Sequence, residues 1–154
     1  MQPEILKSTR INPKKNNIFL VSEISDIPEG TFNDHETEYI SRRLSEKNQD
    51  TVILNKLGHI SVVYHLVPKD EKTEEQMLEK YRKSGESLLG ILNEHNAESV
   101  SLVDTCSHYH ETLAFTEGMV LGNYQFLKYR KDRTEKESTL KKSRSLVLAL
   151  NKKK

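Results

Sequence analysis

Ile60-Ser61-Val62-Val63-Tyr64-His65-Leu66-Val67 is the stretch on which the fold turns. It is rich in β-branched residues and too apolar for an edge strand with one wet face, so it predicts a strand inside a sheet. Just upstream, residues 51–57 (TVILNKL) form a second β-rich run, parted from the first at Gly58. So short a gap holds no crossover, and the two runs must form an antiparallel hairpin.

The pattern continues outward on both sides. Residues 17–22 (NIFLVS) are a short apolar run bounded by polar residues, a buried-strand signal. Residues 26–30 (DIPEG) read as a turn, and Asn33 with Asp34 can cap a helix running to about Gln49. That helix is charged almost all round apart from Ile40 and Leu44, so it belongs on the surface. Downstream, Thr73-Glu74-Glu75-Gln76 is a capping box opening a helix to about His95. Met77, Tyr81, Gly85, Leu88 and Leu92 make its buried stripe. Residues 99–103 (SVSLV) are a strand, residues 107–126 a third helix, and residues 145–150 the last strand. In the third helix Ala114, Gly118 and Gly122 stand four apart, a bare ridge expected to press close against a sheet. The alternation predicts a single α/β domain over residues 1–150 with a Lys-rich end at 151–154. Its architecture is three-layer αβα around a mixed central sheet.

A chain of 154 residues can bury a core without staples. Hydrophobic residues make up 34% and charged ones 31%, polar for a globular protein but not the profile of a disordered one. The lone cysteine, Cys106, excludes an internal disulfide and fits a reducing compartment. Neither MQPEILKSTR nor residues 146–150 has the length of a signal peptide or a membrane span, so a cytoplasmic location and no membrane are expected. Charge is uneven: residues 128–154 hold eleven basic and three acidic side chains, residues 1–127 thirteen and twenty. Such a tail can contact nucleic acid, with Lys141, Lys142 and Arg144 as candidate phosphate contacts, or serve as a solvated linker. The linker reading is favoured, because the tail has no regular basic face and few aromatics to stack on bases.

Cys106-x-His108-x-His110 is the one cluster that suggests a metal, since a thiolate and two imidazoles can bind zinc. The segment opens a predicted helix, where the three side chains are not aligned, and no fourth ligand stands out. His35, His59, His65 and His95 have no acid or nucleophile beside them in sequence and read as surface or cap histidines. There is no GxSxG, HExxH, P-loop or GxGxxG, and no carboxylate pair set apart for acid–base work.

Glu117-Gly118-Met119-Val120-Leu121-Gly122-Asn123-Tyr124-Gln125-Phe126-Leu127-Lys128-Tyr129 goes further. It resembles the signature that closes the N-terminal domain of the leucine aminopeptidase (cytosol aminopeptidase) family. That signature is an Ala-rich helix ending in a Glu-Gly pair, then a small-residue step, Tyr-x-Phe and a Lys-Tyr pair. The Gly58 hairpin and Tyr81-Arg82-Lys83-Ser84-Gly85 agree with it, and the resemblance spans roughly residues 52–131. It implies a macro-domain-like fold and an accessory role in assembly and active-site access. It also implies a C-terminal catalytic domain of the same polypeptide, which removes N-terminal amino acids from peptides with two zinc or manganese ions, and a homo-hexamer. The family's catalytic motif, Asn-Thr-Asp-Ala-Glu-Gly-Arg, does not occur in these 154 residues. No catalytic residue, metal ligand or cofactor is therefore assigned to this chain. Gly118, Gly122, Tyr124, Phe126 and Tyr129 are read as structural: a close-packed helix and an aromatic anchor for the exit segment. A macro-domain likeness also invites a nucleotide site, but the candidate loops, residues 30–34 and 105–110, are not glycine-rich. The rival reading is a stand-alone binding module that grips nucleic acid through the basic tail.

Overall fold

A computed structural model describes residues 4–8, 11–66, 73–97, 99–105, 109–131 and 145–150, with the backbone alone for 4–8, 109, 124–131 and 145–150. In chain order the elements are β1 (Glu4–Ser8), β2 (Asn17–Val21), a single 3-10 turn (Ile24–Asp26), α1 (Asp34–Ser45), β3 (Thr51–Asn55) and β4 (Ile60–His65). There follow α2 (Glu74–Glu94), β5 (Ser99–Asp104), α3 (Tyr109–Lys131) and β6 (Ser145–Leu150). The strands form one sheet in the order β1-β6-β5-β2-β4-β3. Every neighbouring pair is parallel except β3 and β4, the antiparallel hairpin that the Gly58 gap required.

Strands β2, β4 and β5 alternate their side chains between two cores. Ile18, Leu20, Val62, Tyr64 and Leu102 point to the face covered by α2 and α3. Phe19, Val21, Val52, Val63 and Val103 point to the other, where Ile40 of α1 meets them. The architecture is therefore three-layer α/β, and β2 and β4 read as unbroken apolar runs because both of their faces are covered. Asn16 ties the strands together at their amino ends. Its side-chain amide donates to the Ser99 carbonyl at 3.0 Å, and its side-chain oxygen accepts from the Ile60 amide at 2.9 Å.

Three local expectations are corrected. Helix α1 ends at Ser45, not near Gln49: Glu46 is already extended, and Asn48 reverses the chain with φ +63. The Thr73 hydroxyl accepts from the Gln76 amide at 3.2 Å, which is one half of the expected capping box. Helix α3 continues past Phe126 to Lys131.

The fourth correction is larger. The bare ridge of α3 lies against helix α2 and not against the sheet. A Cβ built on Gly118 would stand 2.6 Å from the Arg82 carbonyl carbon and 2.8 Å from its Cα. One built on Gly85 would stand 3.1 Å from the Phe115 carbonyl carbon, and one on Gly122 3.0 Å from Glu86 Cγ. The two helices thus cross backbone to backbone, each glycine facing a residue one turn before the other. Side chains turned to the sheet, Phe115 and Met119 among them, were equally apolar, so periodicity alone could not say which face met which neighbour.

Gly90, also in α2, has nothing within 4 Å of an added Cβ. Gly90→Ala is expected to stabilise the fold by about 0.5–1 kcal/mol, since it removes only the entropy cost of a helical glycine. An unchanged or lowered urea midpoint would contradict this.

Candidate functional site

Two places concentrate polar groups. The first is the α2–α3 crossing. Arg82 Nε donates to Glu117 at 3.0 Å, and Arg82 Nη1 lies 3.4 Å from Glu79, one turn earlier on the same helix. Glu117 precedes Gly118, whose missing side chain admits the backbone of that same Arg82. Two separate stretches of sequence, residues 81–85 and 117–118, therefore interlock here. Arg82 and Glu117 are both partly exposed, so their pair adds little stability and mainly sets the register of the two helices.

The second place is an open cleft of about 1300 Å³ between α2 and the β3–β4 hairpin. Tyr64 and Ile53 form its sheet side, Leu78, Leu88 and Ile91 its helical wall, and Glu79 and Lys83 stand among its charged groups. The Tyr64 hydroxyl lies 2.7 Å from Ser84 Oγ, and its ring packs edge-on to Tyr81 and tilted against Phe115. Burial pushes the Tyr64 phenol up to about 12, with the Ser84 bond opposing and the Asp50 charge adding to the rise.

The sign of the consequence follows from linkage. The neutral phenol is favoured by the fold, so its contribution is complete below the unfolded value near pH 10 and is lost as pH rises through the folded value near 12. Stability should fall between pH 10 and 12 by up to about 2–3 kcal/mol, and Tyr64→Phe should flatten that part of the curve. Equal alkaline slopes in both proteins would refute the assignment.

At the far end of the hairpin, Lys56 pairs with Glu36 of α1 and lies 5.4 Å above the Phe32 ring. Burial raises the Glu36 carboxyl, but the Lys56 bond, the Asn33 amide and the Lys56 charge outweigh it and hold the group below its usual value.

At the carboxyl ends of β2 and β5 lie the two loops considered for phosphate. The Thr105 hydroxyl donates to the Leu20 carbonyl at 2.9 Å, and His65 Nε2 lies 2.6 Å from the Ser22 carbonyl. These bonds tie side chains to the backbone where β2 and β5 end, and residues 106–108 of the second loop lie outside the described residues. His110 sits exposed in the first turn of α3. Cys106 and His108 lie outside the described residues, as do Lys141, Lys142, Arg144 and the side chains of Tyr124, Phe126 and Tyr129. Among the described residues no group of three or more His, Cys, Asp or Glu could hold a metal ion, and no helix is long and apolar enough to cross a membrane.

No protein-family model matches the chain, and no curated protein matches its sequence. Solved structures do. A mutant of tomato leucine aminopeptidase aligns with a TM-score of 0.57 at 15% identity, over 97% of this chain and 32% of that one. An alphavirus P23pro-zbd aligns with a TM-score of 0.52 at 14% identity, over 99% of this chain and 22% of that one. The chain thus spans about a third and about a fifth of the proteins it is similar to. At such identities the likeness is one of fold.

Proposed function

We propose that this chain is the accessory α/β domain of a leucine-aminopeptidase-like metallo-exopeptidase. In this reading it does not cut peptides itself but helps assemble the enzyme and shape access to two divalent metals, zinc or manganese, held in a separate C-terminal catalytic domain. The observation that carries the reading is the interlock at the α2–α3 crossing. The two stretches that bear the family resemblance, residues 81–85 and 117–118, are far apart in sequence yet touch through Arg82, Glu117 and Gly118. Contact between them makes sense of their spacing as packing, which suits a scaffold. The end-to-end fold likeness to a third of an aminopeptidase chain supports the same reading, and in that reading the parent enzyme would be a homo-hexamer.

Two measurements test it. Sequencing the gene past codon 154 should reveal an open frame carrying Asn-Thr-Asp-Ala-Glu-Gly-Arg, and an immediate stop codon would overturn the reading. The purified chain should also be inert toward leucine p-nitroanilide with zinc or manganese added; hydrolysis that follows the chain through every purification step would overturn it too.

The charge imbalance favours one second reading, a module that binds nucleic acid through its basic tail. A salt-sensitive shift of duplex DNA, lost on removing residues 132–154, would support it. No shift at low salt would end it.

A further inference from the structure

The sheet ends at β3, and among the described residues no further strand pairs with that end. Two backbone bonds, Lys56 N–H to the His59 carbonyl and His65 N–H to the Asp50 carbonyl, fix the phase of the hairpin ladder. With Val52 opposite Val63 and Leu54 opposite Ser61, residues 50, 52, 54 and 56 are the ones that bond to β4. Thr51, Ile53 and Asn55 therefore turn their N–H and C=O groups outward. Among the described residues one group meets them, the Gln49 side-chain amide, which donates to the Thr51 carbonyl. Edge strands are usually blunted by charge, proline or a bulge. Thr51-Val52-Ile53-Leu54-Asn55 has no charge and no proline, Ile53 is 36% exposed, and the cleft beside α2 runs along it.

We propose that β3 pairs with β3 of a second copy, antiparallel across a two-fold axis at Ile53, so that the two sheets become continuous. A strand can pair with itself only if one register satisfies backbone and side chains together. Centred on Ile53, the register sets Ile53 against Ile53 and Thr51 against Asn55, all of them outward-facing residues. About six hydrogen bonds then form without disturbing the β3–β4 ladder, once the Gln49 amide releases the Thr51 carbonyl. The same register sets Asp50 of each copy against Lys56 of the other, so that the ammonium already paired with Glu36 in its own copy gains a second carboxylate at both ends. Centring on Val52 or Leu54 forms only about four bonds within residues 51–55, and every centre other than Ile53 loses the charge pairs. Sequence and hydrogen-bond phase thus select one alignment. A contact of this length is small, so the dimer should be reversible and half-formed on the order of 100 µM.

The test is sedimentation equilibrium of the full chain from about 10 µM to 1 mM, with amide spectra recorded over the same range. A reversible dimer is expected, with the amides of Thr51, Ile53 and Asn55 shifting as it forms while those of Val52 and Leu54 stay in place. Ile53→Lys puts like charges on the axis at an already exposed position. It should weaken association about tenfold or more with an unchanged circular dichroism spectrum. Asp50→Lys and Lys56→Glu, each with an unchanged circular dichroism spectrum although the second loses the Glu36 partner, should each weaken it, and mixing those two variants should restore it, because every end pair is then opposite in sign. Three results would overturn the proposal: a monomer at 1 mM, which would leave the edge to some other partner; shifts confined elsewhere, such as at exposed Leu113 and Leu121 of α3; or no rescue on mixing. None of them bears on the accessory-domain reading, which stands on the gene and the peptidase assay.

Discussion

Replacing Gly118 with alanine is expected to lower the unfolding free energy by about 2–4 kcal/mol, although alanine is the better helix former by about 1 kcal/mol. The added methyl would meet the Arg82 backbone, with the carbonyl carbon 2.6 Å away. A flexible side chain could swing aside, but a backbone inside α2 cannot. The helices must separate, and every contact along the crossing loosens, which places the substitution among the overpacked cores. Urea unfolding followed by circular dichroism should show a lower midpoint with an unchanged slope. A loss below about 1 kcal/mol would mean that the crossing is less tight than the geometry states. Gly85→Ala should act the same way, and the double variant should lose less than the sum, because the first methyl already parts the helices. Gly90→Ala on the same helix carries the opposite expected sign, so propensity and packing are separated within one element.

Phe115→Ala should cost about 3–5 kcal/mol. The side chain is fully buried, 5.0 Å from the Tyr64 ring, and packs in the cluster of Ile18, Leu20, Val62, Leu88 and Leu102 between the sheet and both helices. Sheet on one side and the tight helix pair on the other leave little scope for collapse into the vacated space. The cavity term should therefore be near its full size. In thermal melts this is a drop on the order of 10 °C for a domain of this length. A drop under about 3 °C would show that the core repacks around the gap.

Much of the fold was legible locally. Residues 17–22 and 60–67 announced their strands because strands covered on both faces read as continuous apolar runs, and residues 51–57 by their β-branched and apolar content. The hairpin followed from the length of the gap at Gly58, and the α2 stripe from its three- and four-residue spacing. Residues 4–8 did not read as a strand, since EILKS is short, flanked by polar residues and carries only two apolar positions. Of the candidate site, Gly118 was found as a packing residue and Gly85 as part of a buried stripe. That each faced the other's helix was not found, nor was the bond from Arg82 to Glu117. An arginine and a glutamate 35 positions apart carry no signal of contact until the fold joins them.

What the sequence determined by itself was the identity and order of most elements, because helices and strands of this length are set by side-chain periodicity and end signals that act within a few residues. The tertiary structure alone decided which surfaces meet. It placed the last strand, β6, between β1 and β5, and it turned the bare ridge of α3 onto α2. The physical reason is the same in both cases. Backbone hydrogen bonds join any two strands alike, and a helix apolar on several sides can bury any of them, so the choice rests on how the whole core closes and not on any local pattern.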